Sequence, residues 1–118
     1  MKIPVPTTNR KFFRQSLEIL KIIPPLNTLR ARELDVLSEF LYWNYHYKHL
    51  PKDDRWKIIF DYETKLQMRE YISIDEQQFN NCMTSLRKKN VMKKRAIENT
   101  YGINPETPSI TFEFKLNE

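Results

Sequence analysis

With 118 residues, of which 40% are hydrophobic and 13% aromatic, the chain has enough apolar material for one packed domain and falls outside the disordered class. Its net charge of +5 favours an anionic partner, nucleic acid foremost. Apolar runs stay short of the ~18 residues of a membrane span, residues 1–11 lack the apolar segment of a signal peptide, and the lone Cys82 permits no disulfide framework; a cytoplasmic, reducing setting is expected.

Residues 1–8 contain Pro4 and Pro6 and read as an extended arm. Thr7 or Thr8 is placed to cap a first helix over 9–23, closed by Pro24-Pro25. Its apolar residues Phe12, Phe13, Leu17, Ile19, Leu20 and Ile23 spread over a wide arc. Such a helix has two neighbours, here the rest of the domain and a partner, most simply a second copy. Thr28 caps a second helix over 29–47, with Leu34, Val36, Leu37, Phe40, Leu41 and Trp43 inward. After a loop around Pro51, Asp53 and Asp54 start a third helix over 55–62 that faces Trp56, Ile59 and Phe60 inward.

The stretch 64–89 reads as two short helices joined by a tight turn. Thr64 with Gln67, and Asp75 with Gln78, both have the capping-box form that satisfies free N–H groups at a helix start. Met68 and Ile72 face one way, and Phe79, Cys82, Met83 and Leu86 recur at i, i+3, i+4 and i+7. This is the helix-turn-helix pattern. Residues 91–97 then read as a strand with a basic middle, 98–108 as a turn-rich loop, and 109–116 as a strand alternating Ile110, Phe112, Phe114 and Leu116 with polar residues.

The order Ser73, Ile74, Asp75, Phe79, Leu86, followed by a β-hairpin over 91–116, resembles the winged helix-turn-helix family of DNA-binding domains. The family usually has glycine where this chain has Ser73, and a non-glycine residue at positive φ there would cost on the order of 1 kcal/mol. The resemblance implies an α+β fold over 1–118, with the helix 75–89 inserted in the major groove and the hairpin, or wing, on the backbone. The small size and the Asn- and Lys-rich, glycine-poor composition suit a phage-encoded protein.

With Phe79, Cys82, Met83 and Leu86 inward, the opposite face of that helix carries Gln77, Asn81, Thr84 and Lys88, flanked by Gln78 and Ser85. Asn and Gln bond bidentately to adenine and Thr meets a thymine methyl, so Gln77, Gln78, Asn81 and Thr84 are the candidate base readers. Arg87, Lys88, Lys89, Lys93, Lys94 and Arg95 lie in an acid-free segment over 86–96 and are the candidate phosphate contacts. The polar face has a plainer account as a solvated surface, Arg87, Lys88 and Lys89 as cations at a helix C-terminus, and Lys93, Lys94 and Arg95 as a strand edge charged against aggregation. The aromatic residues Tyr42, Trp43, Tyr45, Tyr47 and Trp56 serve a core or an interface before they serve bases.

No constellation supports an enzyme. His46 and His49 lack further convergent ligands for a metal, Cys82 lacks an activating partner, and with Gly102 as the one glycine there is no loop to cradle a nucleotide. The expectation is a DNA-binding protein without cofactor, a regulator of transcription or replication acting on double-stranded DNA as a homodimer or with a protein partner through the first helix. The alternative is a protein-docking module in a larger assembly such as a transcription complex or virus particle.

Overall fold

The computed structural model describes residues 7–97 and 101–107. Its regular elements are α1 (Asn9–Leu20), a short 3₁₀ turn (Leu26–Thr28), α2 (Ala31–His46), α3 (Lys52–Ile59), α4 (Tyr62–Ile72) and α5 (Glu76–Lys88). All the other α-helices pack on α2. Leu34, Val36, Leu37, Phe40, Leu41 and Trp43 are all buried on it, an arc too wide for one neighbour. Phe13, Leu17 and Leu20 of α1 close one side of this core, and Phe79, Met83 and Leu86 of α5 another. Phe40 lies between Phe60 and Phe79, with ring centroids 5.0 and 5.9 Å away.

Helix ends follow the local chemistry, with shifts from the expected bounds. Thr8 Oγ1 accepts from the Lys11 N–H and starts α1, which ends at Leu20, ahead of the expected residue 23. At α2 the Arg30 N–H donates to Glu33 Oε1 at 2.8 Å, while Thr28, the expected cap, belongs to the preceding 3₁₀ turn. Pro51 stands directly before α3 and Asp61 directly before α4. Thr64 therefore caps nothing: it lies inside α4 and is buried. The second capping box forms as read, with the Gln78 N–H donating to Asp75 Oδ1 at 2.7 Å.

The turn between α4 and α5 puts a side chain where the backbone favours glycine. Ser73 is left-handed at φ 57° and ψ 50°, so the chain carries the cost of a side chain there, about 1–2 kcal/mol. The Ile74 N–H donates to the Arg69 carbonyl and seats Ile74 in the core beside half-buried Ile72.

The α+β architecture with a wing is not found. The described residues are helical with no strand or sheet, and the one β-type pairing is an isolated antiparallel bridge between Lys93 and Ala96. Where a strand over 91–97 was expected, Asn90 at φ 60° ends α5 and the Leu86 carbonyl accepts from both the Val91 and Met92 N–H groups. Val91 and Met92 are consecutive and both buried, whereas a strand would send them to opposite faces. The Lys93 N–H then donates to the Ala96 carbonyl, turning Lys94 and Arg95 outward at the tip. Residues 101–107 return to the domain: Ile103 is buried and Glu106 pairs with Lys48 of the loop after α2. The expected strand over 109–116 lies outside the described residues.

Candidate nucleic-acid interface

On α5 the polar residues share one face because the apolar ones share the other. Phe79, Met83 and Leu86 are buried, Cys82 is half-buried, and Gln77, Asn81, Thr84 and Lys88 form an exposed stripe opposite at i, i+4, i+7 and i+11. Within the stripe and its flank the side chains differ in freedom. Gln78 is exposed but its Oε1 faces the Asp75 N–H at 3.4 Å, in the cap. The Thr84 hydroxyl donates to the Asn80 carbonyl at 3.0 Å, which leaves its methyl outward. The side chains of Gln77 and Asn81 make no hydrogen bond among the described residues. Exposed Asn80 lies toward α4, beside Lys65 and Arg69, a neighbour that the helix phase alone did not single out.

The basic residues are brought to the C-terminal end of the same helix, but not to one role. Arg87 Nη2 donates to the Lys94 carbonyl at 2.8 Å and straps the basic turn to α5. Lys88, Lys93, Lys94 and Arg95 are exposed beside that strap. Lys89 points inward instead, pairing with buried Glu33 at 2.9 Å and donating to the Thr28 carbonyl at 2.7 Å. Burial works against the Glu33 carboxylate, yet Ser85, the Arg30 N–H and Lys89 together hold its pKa below the ordinary glutamate range. The charge along the face is thus graded. Asp75 and Glu76 stand at the N-terminal end, where Arg69 lies 3.9 Å from Glu76, and Lys88, Lys94 and Arg95 make the other end basic.

The expected aromatic cluster is mostly core: Trp43 and Trp56 are buried, and Tyr42, Tyr45 and Tyr47 are half-buried against them. What the sequence did not point to is its partner. The Arg10 guanidinium lies 5.2 Å from the Tyr42 ring centroid, 5.5 Å from that of Trp43 and 3.8 Å from that of Tyr71. Its Nε reaches both oxygens of buried Glu39 at 3.0 and 3.1 Å. Burial pushes the Glu39 carboxyl above the ordinary glutamate range, with the Arg10 charge pulling the other way. Arg14 Nε donates to Asp35 at 2.6 Å and its Nη1 to Glu18 at 2.7 Å. Among these residues a cleft of about 310 Å³ opens between α1, α2 and the end of α4, lined in part by Arg10, Lys11, Arg14, Asp35, Tyr71 and Ile72. The sequence did hold a signal for the buried pair. Glu39 sits among Val36, Phe40 and Trp43 on the apolar arc of α2, where a carboxylate requires a cation.

No helix among the described residues is long and apolar enough to cross a membrane. Compared with known proteins, the chain matches no family model, no curated protein and no solved structure.

Proposed function

We propose that the chain is a non-enzymatic double-stranded DNA-binding protein that presents α5 to a groove and the basic turn after it to the neighbouring phosphates. The observation that carries this reading is the uninterrupted exposed stripe Gln77, Asn81, Thr84 and Lys88, which runs directly into Lys94 and Arg95. The exposed cations Lys88, Lys94 and Arg95 gather at the C-terminal end of α5, so the weight of the contact falls on that half. Arg87 and Lys89 support the surface from within, one strapping the turn and the other tying α5 to the start of α2. A regulator of transcription or replication is the role that suits sequence reading by so small a domain.

Binding to duplex DNA at two salt concentrations tests this. Replacing Lys88, Lys94 and Arg95 by alanine weakens binding equally across sequences and lowers the salt slope by about 0.9 log unit per lost phosphate contact, because fewer counterions are released. Changing Gln77 or Asn81 instead removes roughly 1–3 kcal/mol of discrimination between sites and leaves the slope alone. Salt-sensitive binding without sequence preference would reduce the stripe to a solvated face and end the regulator reading.

A second reading, protein docking, is favoured by one observation. Ile19 in the last turn of α1 and Ile22 and Ile23 just after it are 52%, 71% and 42% exposed, close together in the chain. The plainest occupant is a second copy, which would also suit a two-fold DNA site. In sedimentation at tens of micromolar a dimer that Ile22→Glu dissociates supports this contact, and a monomer rules it out.

A further inference from the structure

We propose that the cleft between α1, α2 and the end of α4 binds a small aromatic anion, and that its occupancy is transmitted to the turn that orients α5. The second half rests on the DNA-binding reading, and the first does not.

The walls of the cleft set the ligand class. Arg10, Lys11 and Arg14 stand on one side, with Asp35 as the carboxylate in the lining and Glu39 buried behind Arg10. Both guanidiniums keep donors to spare. Arg10 uses Nε and Nη2 on Glu39, and Arg14 uses Nε on Asp35 and Nη1 on Glu18. Arg10 Nη1 and Arg14 Nη2 have no partner among the described residues, so each guanidinium has one nitrogen left to donate to a separate oxygen of a carboxylate or phosphate. Lys11 is exposed at the rim and makes no ion pair among the described residues. The rest of the lining includes an apolar and an aromatic side chain, Ile72 and Tyr71; Arg10 covers one face of the Tyr71 ring, and the residue stays 46% exposed. The volume lies at the low end of small-molecule sites, room for one ring bearing an anionic group.

The floor of the cleft is wired to the helix-turn-helix. Arg14 Nε holds Asp35 Oδ1 at 2.6 Å, and Asp35 Oδ2 lies 3.4 Å from Arg32 Nη1. Arg32 Nη1 in turn donates to the Ile72 carbonyl at 2.7 Å. Ile72 is the last residue of α4, and Ser73 after it makes the left-handed turn into α5. An anion on Arg14 Nη2 shares the guanidinium's charge with Asp35 and loosens the Nε contact, which leaves more of that carboxylate to Arg32, so the hold on the Ile72 carbonyl changes. Coupling of this kind needs the ligand to interact differently with two settings of the turn, and the Arg14–Asp35–Arg32 relay supplies the difference.

Phenyl phosphate titrated into the full-length chain, followed by two-dimensional NMR of backbone amides and arginine Nε–H groups, tests the site. The expected result is saturable shifts at the Nε–H of Arg10 and Arg14 and at the amides of Tyr71, Ile72 and Ser73. Inorganic phosphate, lacking the ring, should bind several-fold more weakly. Arg14→Gln should abolish saturation. The milder Lys11→Glu, at an exposed rim position, should weaken binding without disturbing the rest of the spectrum. Absence of saturable shifts overturns the site, as do shifts spread equally over Lys88, Lys94 and Arg95. With saturating phenyl phosphate, duplex affinity should change by about 5-fold or more; an unchanged affinity overturns the transmission. If the shifts appear and no duplex binds in either condition, the cleft stands and the DNA-binding reading falls.

Discussion

Leu86→Ala is expected to lower stability by about 2–5 kcal/mol, and Phe79→Ala by about 3–5 kcal/mol, a large share of what a domain of this size possesses. Leu86 is fully buried where α5 meets α2, and Phe79 stacks on Phe40 with centroids 5.9 Å apart, so each truncation leaves a void that the helix cannot close without shifting. Gln77→Ala and Asn81→Ala, on the opposite face of the same helix, should stay within about 0.5 kcal/mol of wild type. Urea unfolding measures all four, with an unchanged denaturant slope certifying that the midpoint shift reports stability. If Asn81→Ala proves as damaging as Leu86→Ala, the phase of α5 is wrong, and the polar stripe is wrong with it.

The second large effect belongs to Arg10. Arg10→Met removes the cation from buried Glu39, and breaking such a pair should cost about 2–4 kcal/mol near neutral pH. That sits on the low side for a buried pair because 22% of the arginine side chain is in solvent. The loss must depend on pH with a definite sign. Burial raises the folded-state pKa of Glu39, and without Arg10 nothing pulls it back. A carboxyl raised in this way is tolerated while protonated and destabilises the fold as pH rises through its folded value. The penalty of Arg10→Met should therefore be small at pH 4, grow above the ordinary glutamate pKa and be largest at pH 8. Glu33 acts in the opposite sense. Its folded pKa is lowered, so its contribution is present at neutral pH and is lost as pH falls through the carboxylate range. Unfolding curves at several pH values for the wild type, Arg10→Met, and Arg10→Met with Glu39→Gln separate the two. The double variant should recover much of the loss at pH 8, and a penalty that does not vary with pH would show that Arg10 acts through packing on Tyr71 and Trp43 alone.

What was legible in the chain was whatever repeats within a helix turn or two. The phase of α5 and its Asp75–Gln78 cap were readable because stripe and cap are both local, and the buried residues of α2 because Leu34, Leu37, Phe40 and Leu41 recur at helical spacing. Thr64 shows the limit of that method. A threonine three residues before a glutamine has the form of a cap, but nothing in those four residues says that α4 has already begun at Tyr62. The missing wing has a similar origin. Val91-Met92 and Ala96-Ile97 are adjacent apolar pairs around Lys93, Lys94 and Arg95, a pattern that suits a turn folded over the core better than an alternating strand. The cleft was out of reach for another reason. Arg10 meets Glu39 across 29 residues of chain and Arg14 meets Asp35 across 21, and only the docking of α1 on α2 brings them together.

The left-handed serine at the α4–α5 turn also acts on the chain before it folds. Glycine at position 73 would relax the folded turn, but it would widen the range of backbone states that folding must give up, at a cost of roughly 0.5–1 kcal/mol. Ser73 and Asn90, the left-handed residues on either side of α5, therefore trade folded strain for a less disordered starting ensemble. The side chains at both bends narrow the backbone states open to them, so α5 has few directions to choose among, and a partner that selects one of them has little disorder left to freeze.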